Sequence, residues 1–348
     1  MPLRNTERHE VISIRTNEIP EEAAGNPAIF DSYVKAVSVL SKHENAVCSI
    51  SGGSDSDVMM DIISRLDADG KVDYVFFDTG LEYRATKDHL EYLEDTYHRK
   101  IERKKPVKSV PACCREFGIP FLSKQVSERI EILQRHGFRW EDKEFEVLTT
   151  EYTRCNDTLK WWCNRKGFKG PDGEFVPGAI YNISRNKWLK EFLISNPPPF
   201  PVSAKCCTYA KKKVAKDARK GYQLEIVGIR RAEGGVRSTA YKSCYGNEKD
   251  GVMQYRPLFW YRDQDKKEYD ELFQIRHSDC YSVYGLKRTG CVGCPYGVRW
   301  NKNEIETVAE YEPLLYRACS NVFGKSYEYT RKYFEFVRER DAGKEERA

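Results

Sequence analysis

The sequence predicts an α/β protein: a doubly wound, mostly parallel sheet with a helical insertion and a cysteine-rich C-terminal part. Three observations carry this. A short apolar run, Asn45-Ala46-Val47-Cys48, leads into Ser49-Ile50-Ser51-Gly52-Gly53-Ser54-Asp55-Ser56, after which Val58, Met59, Ile62, Ile63 and Leu66 recur at helical spacing. A second strand, Val72–Phe77, is β-branched and aromatic, and a polar helix follows it from about Arg84 to Tyr97. Strands that alternate with helices build a parallel sheet covered on both faces. Ligands on such sheets bind beyond the carboxyl ends of the strands.

The chain has 348 residues, 40% hydrophobic and 32% charged, which is globular rather than disordered and enough for one large core or two smaller ones. No apolar run approaches the ~18 residues of a membrane helix. The polar N-terminus does not resemble a signal peptide, so a cytoplasmic location and no membrane partner are expected. Twelve cysteines without an export signal point to metal, cluster or redox use rather than a disulfide framework. A net charge of +5 suits an anionic ligand without demanding nucleic acid.

Taken in order, residues 1–26 form an N-terminal arm. A helix over 27–42 follows, with Pro27 at its first position and Phe30, Tyr33, Val34, Val37 and Leu40 on one face. The serine–glycine turn comes next. Glycines let the backbone approach a phosphate, helix-start N–H groups point at it, serine hydroxyls add donors, and Asp55 can orient a metal ion or cap the turn. Ser49, Ser51, Gly52, Gly53, Ser54, Asp55 and Ser56 are therefore candidate nucleotide contacts. Asp78-Thr79-Gly80-Leu81-Glu82 follows the second strand at the equivalent place, which adds Asp78, Thr79, Gly80 and Glu82.

The nucleotide-binding core is expected to run over 27–136, with Cys113 and Cys114 as structural thiols. Residues 137–202 read as an insertion rich in tryptophan, closed by Pro197-Pro198-Pro199-Phe200-Pro201. Its Arg154, Lys160, Arg165, Lys166 and Lys169 among aromatics keep nucleic acid open as a partner, although a tryptophan core under a solvated basic face is the better reading. The core resumes over 203–300. There Cys206-Cys207 precedes a basic helix, then a strand ending Gly228-Ile229-Arg230-Arg231, then Arg237 and Cys291-Val292-Gly293-Cys294. A C-x-x-C between glycines and a proline is a two-thiolate half-site. The other half is expected from Cys207 with Cys206 or Cys244, Cys280 being a weaker competitor. Residues 301–348 read as C-terminal helices.

Ser51-Gly52-Gly53-Ser54-Asp55-Ser56 resembles the S-G-G-x-D-S signature of the PP-loop superfamily, the adenine nucleotide α-hydrolases, one variant of which has Lys where Ser54 stands. Asp78-Thr79-Gly80 with Thr86, and the order Cys-Cys, basic helix, Gly-Ile-Arg-Arg, Arg, C-x-x-C, resemble the iron–sulfur members of the phosphoadenosine phosphosulfate (PAPS) reductase family. The resemblance spans roughly 27–125 and 203–300. It implies a PP-loop fold, an adenine nucleotide ligand (ATP or an adenylylated sulfate) and a [4Fe-4S] cluster, with zinc as the alternative. It also implies anion contacts from Arg230, Arg231 and Arg237, and Mg²⁺ where ATP is the ligand. The expected function is a sulfonucleotide reductase-like enzyme or an ATP-dependent adenylylating sulfurtransferase, with a thiol reductant or sulfur-donor protein as partner. The tail cysteine that serves the assimilatory reductases as nucleophile is not found after Cys319. The alternative function is a nucleotide-sensing or DNA-modification-associated binding protein with a structural metal.

Overall fold

A computed structural model describes residues 19–169, 171, 173–234, 240–249, 251–297 and 304–345. The chain forms two compact units. Unit one comprises 1–78, 84–104 and 214–285, and unit two comprises 79–83, 105–213 and 286–348. The division falls at other positions than the composition shifts suggested. The tryptophan-rich stretch 137–202 lies wholly inside unit two, together with the helices Glu304–Tyr311 and Pro313–Glu345.

Unit one is the expected α/β fold. Its six-stranded sheet has the order β3-β2-β1-β6-β8-β7, with β1 Ala46–Ile50, β2 Val72–Phe77, β3 Ile101–Lys104, β6 Leu224–Val227, β7 Tyr245–Lys249 and β8 Val252–Tyr255. All neighbouring pairs are parallel except β7 with β8, which is antiparallel. β1 pairs with β2 on one side and with β6 on the other. The chain thus winds outward in both directions from β1, and its carboxyl end is the switch point where such sheets bind ligands.

Helices α1 (Pro27–Lys42), α2 (Ser54–Leu66) and α3 (Arg84–Tyr97) occupy the expected ranges, but α1 buries Ile29, Tyr33, Ala36 and Val39 rather than the face of Phe30, Val34, Val37 and Leu40, and Phe30 is exposed. α1 starts cleanly because Asn26 accepts the N–H groups of Ala28 and Ile29 at 2.9 and 3.2 Å and Pro27 needs no donor. α2 buries Val58, Met59, Ile62 and Ile63 in a core shared with Cys48, Tyr74, Leu224 and Tyr255. No helix among the described residues is long and apolar enough to cross a membrane.

Unit two is mainly helical: α4 (Val110–Phe117), α5 (Lys124–Arg135), α6 (Phe145–Glu151), α7 (Asn156–Trp162) and α8 (Leu189–Ser195), with a small ladder of β4 (Phe168–Lys169) and β5 (Phe175–Val176). Trp161 and Trp162 are buried in its core with Phe121, Phe192, Tyr329 and Tyr333. These two rings are structural, and neither offers a face to a nucleobase. α9 (Lys205–Cys207) runs directly into a π-helical stretch, Thr208–Lys212. Such stretches are rare and concentrate at functional sites.

Candidate nucleotide loop and cysteine centre

The loop in unit one is closed around a single oxygen. Ser56 Oγ accepts the N–H groups of Ser51 and Gly53 at 3.3 and 3.2 Å and the Ser51 hydroxyl at 3.2 Å, and it donates to the Gly53 carbonyl at 2.7 Å. The backbone therefore presents a nest of donors just beyond β1, at the positive end of α2. Gly52 makes this turn with φ +65°, and an added Cβ would lie 2.7 Å from Thr86 Cγ2. Both the conformation and the close approach require glycine. The Ser54 N–H, at the first helical position, donates to Tyr281 Oη at 3.1 Å. Ser49 sits within β1, level with Val75 and Val227.

Arg230 joins this loop, though by a different contact from the one expected. Its Nε lies 2.8 Å from Asp55 Oδ1 and its Nη1 lies 2.8 Å from Asp263. The Asp55 contact is ionic and off the hydrogen-bonding angle, since neither atom has a well-aligned partner. Burial raises the Asp55 pKa, against the pull of the Arg230 charge. Asp55 thus holds an arginine beside the loop. Gly228 packs close by, where a Cβ would stand 3.5 Å from the Asp55 carbonyl oxygen. Arg231 lies 5.7 Å over the Trp260 ring. Arg237 lies outside the described residues.

One turn further along α2 is a network that sequence spacing could not suggest. The fully buried Asp57 has His277 Nδ1 at 2.7 Å and His89 Nε2 at 3.1 Å, and His277 Nε2 reaches Asp270 at 3.1 Å. Burial alone would lower the His277 pKa, but its bonds to Asp270 and Asp57 override that and raise it to about 9. The same histidines hold Asp57 below the usual carboxylate range despite its burial.

Asp78 ends the unit-one segment, its N–H bonded to the Lys104 carbonyl at 3.0 Å. Thr79, Gly80 and Glu82, expected at the nucleotide pocket, belong to unit two, where Thr79 meets the C-x-x-C. Glu82 Oε1 accepts from the Thr79 hydroxyl at 2.7 Å, Thr79 Oγ1 is 3.5 Å from Cys291 Sγ, and the Val292 N–H donates to the Leu81 carbonyl at 2.7 Å. Gly80 makes the turn with φ +81°.

The cysteine centre of unit two contains Cys206, Cys207, Cys291 and Cys294. Their thiols act on one another. The Cys114 thiol contact raises the Cys206 pKa, the Cys207 contact opposes it and burial adds to the rise, while the Cys206 contact raises that of Cys207. Burial raises Cys291 and Cys294, with Cys207 adding to both. The adjacent pair thus divides: Cys206 faces Cys114 as well as Cys294, and Cys207 acts on both members of the C-x-x-C. Lys211, in the π-helical stretch, stays cationic. Burial works against it, but Cys291, Glu82, Cys207 and Cys294 carry its pKa to about 12.

Cys244 does not join this group. It is buried in the core of unit one with Tyr255 and Tyr261, and its carbonyl accepts the Arg256 N–H at 2.7 Å. Cys280 is likewise buried in unit one, 3.4 Å from the Thr86 hydroxyl. Cys319 is packed in unit two, where its thiol donates to the Val292 carbonyl at 3.2 Å and burial raises its pKa to about 12. Cys114, expected to be merely structural, touches the centre instead.

Among the described residues no three His, Cys, Asp or Glu side chains converge tightly enough to hold one metal ion. The donor chemistry of unit two still fits an iron–sulfur cluster. Four soft thiols lie within electrostatic reach of one another beside a lysine that stays charged, and a cluster spreads its thiolates over several irons rather than gathering them round one point.

Residues 45–160 match the family model described as the phosphoadenosine phosphosulfate reductase domain. That segment is similar to the PAPS reductase family. It contains the Ser51–Ser56 loop and Asp78–Glu82, and ends before Cys206 and Arg230. No curated protein matches the chain in sequence. Among solved structures it is similar to a PAPS reductase from Candida auris in a phosphate complex, at 15% identity and a TM-score of 0.40, over 75% of this chain and 87% of that one. It is also similar to the U34-tRNA thiolase NcsA from Methanococcus maripaludis with its [4Fe-4S] cluster, at 13% identity and a TM-score of 0.33, over 92% and 85%. Neither likeness is close enough to assign a reaction to this chain.

Proposed function

We propose that the protein is an enzyme of the PAPS reductase family that binds the phosphates of an adenine nucleotide at Ser51–Ser56 and acts on sulfur. The observation that carries this is the nest in which one hydroxyl oxygen, that of Ser56, takes three donors at the start of α2. A phosphate oxygen has the same needs as that hydroxyl oxygen and more charge to satisfy them. Ligand binding would let the Ser51 and Gly53 N–H groups turn from Ser56 to the phosphate. Arg230, held by Asp55 and Asp263, would balance the added negative charge.

Cys206, Cys207, Cys291 and Cys294 would hold a [4Fe-4S] cluster in unit two. When bound, such a cluster supplies electron-transfer or Lewis-acid chemistry at iron. Lys211 would offset the negative charge of four thiolates, and Thr79 would donate its hydroxyl toward Cys291. Cys206 is buried and Cys207, Cys291 and Cys294 are half-buried, which would limit the access of water to the centre.

Two reactions fit this frame, and product analysis separates them. Adenylylation of an acceptor by ATP releases pyrophosphate. Reduction of an adenylylated sulfate by two thiols releases sulfite and the adenosine nucleotide and leaves a disulfide. Protein purified without air and incubated with each nucleotide and a dithiol is expected to form one of these product sets. Binding of either nucleotide without turnover would leave a sensing protein. Failure to bind both would remove the loop assignment itself.

A further inference from the structure

Unit two has a second concentration of positive charge that the proposed chemistry does not use. α5 and the chain around the start of α7 line an open cavity of about 420 Å³ at the surface. Arg129 and Arg135 line it from α5, Arg154 from the turn before α7, and Asn156 and Thr158 from the first turn of α7. Arg129 Nη1 donates to Thr158 Oγ1 at 3.2 Å, which fixes one guanidinium in the wall.

Several basic side chains of the unit find carboxylates: Lys143 with Glu141 and Glu151, Arg165 with Glu146, Lys187 with Asp341 and Lys190 with Asp142. Among the described residues, none of Arg129, Arg135 and Arg154 pairs with one. The nearby acids are engaged otherwise. Glu131 of α5 pairs with Lys205 at 3.0 Å and accepts from Ser203, and Asp157, on the cavity wall, is 3.3 Å from Lys160. Three like charges around one cavity repel one another until an anion enters. Guanidinium forks match the oxygens of phosphate, and the hydroxyl and amide groups add neutral donors.

We propose that this cavity binds a phosphate group through Arg129, Arg135 and Arg154, independently of the Ser51–Ser56 loop. The phosphate comes from a small free anion or from a nucleic-acid backbone, and the chemistry of recognition is shared. With Trp161 and Trp162 of α7 packed in the core, a bound strand would be held by its backbone, insensitive to base sequence and sensitive to salt.

The test uses the full chain with inorganic pyrophosphate and with a labelled single-stranded oligonucleotide of mixed sequence. Pyrophosphate is titrated into Gly52→Val protein, in which the loop is disabled, and the oligonucleotide into the parent. Arg135 and Arg154 are exposed, so Arg135→Ala and Arg154→Ala are expected to melt as their backgrounds do. Each should weaken the bound probe about tenfold at fixed salt, while Lys187→Ala, which removes an already paired cation, should leave it within about twofold. Loss confined to pyrophosphate identifies a small anion. Loss for the oligonucleotide, with the salt slope reduced by about one per arginine, identifies a nucleic-acid backbone. If neither probe binds, or if both variants bind like their backgrounds, the site does not exist.

Discussion

At the nucleotide loop, every donor in the nest comes from within Ser51–Ser56, and the oxygen that fills it comes from the same six residues. At the cysteine centre the thiols come from segments as far apart as Cys114 and Cys294, and of the supporting groups Lys211 shares the helix of Cys207 while Thr79 and Glu82 come from one segment more. The loop is a backbone device whose geometry one strand and one helix can fix. The centre is a side-chain device that needs most of unit two folded before it exists. One consequence is that damage to the centre should show first in what it holds, and damage to the loop in what it binds.

The largest effect expected from breaking this contrast is at the centre. Protein made without air should be brown with about four irons per chain. Cys294→Ser should remove nearly all of the iron, because a hydroxyl replaces a soft thiolate poorly. Cys319→Ser and Cys244→Ser should keep the colour, since both thiols are packed in cores. Iron analysis of Cys206→Ser beside Cys244→Ser sharpens the point: bleaching by the second and not the first would mean that the unit-two thiol group is not the ligand set. A colourless anaerobic protein with stoichiometric zinc would end the cluster assignment.

At the loop, Gly52→Val should weaken nucleotide binding by about a hundredfold, as two or more phosphate hydrogen bonds are lost. The left-handed backbone and the overlap with Thr86 should add a stability cost of about 2 kcal/mol or more. Calorimetric titration with ATP and adenylylated sulfate measures the first and thermal melting the second. Undiminished binding would move the phosphates elsewhere.

A third effect distinguishes the loop's support from the loop itself. The His277 pKa is about 9 in the folded protein, against an unfolded value near 6.5. Its contribution to stability is therefore complete below about pH 6.5 and is lost as pH rises through about 9. The melting temperature should fall across that window, by an amount corresponding to about 3 kcal/mol. In His277→Gln the fall should flatten. An unchanged slope would mean that the Asp57 network does not carry the proton.

The smallest contrast lies between two adjacent arginines. Arg230→Ala should weaken nucleotide affinity about tenfold, because Asp55 would then face the phosphates without its counter-charge. Arg231→Ala, which removes a cation over Trp260, should change affinity less than about twofold. Equal effects would mean that the Asp55 contact is incidental.

Contiguous features were legible in the sequence. α1, β2 and α3 occupy the ranges that periodicity gave, and the serine–glycine turn lies between β1 and α2 as its composition implied. What depends on distant packing was not. Cys244 and Cys206 look equivalent as thiols in a sequence, and only the fold puts one under a sheet and the other beside Cys114. Asp57 pairs with residues 32 and 220 positions away, and nothing around His277 announces it. Thr79 follows β2 as its position in the sequence implied, but its 3.5 Å contact with Cys291, 212 residues away, was not legible, because a strand end fixes where a residue starts and not which way the chain then turns.

That turn has a consequence for the molecule as a whole. The chain passes from one unit to the other at 78/79, 83/84, 104/105, 213/214 and 285/286, and the stretch 79–83 is a five-residue visit. Neither half is a continuous piece of polypeptide. No single truncation can release one intact, and a ribosome finishes the sheet of unit one only after most of unit two has emerged. The protein is stitched rather than strung, and its halves are expected to be inherited, expressed and lost together.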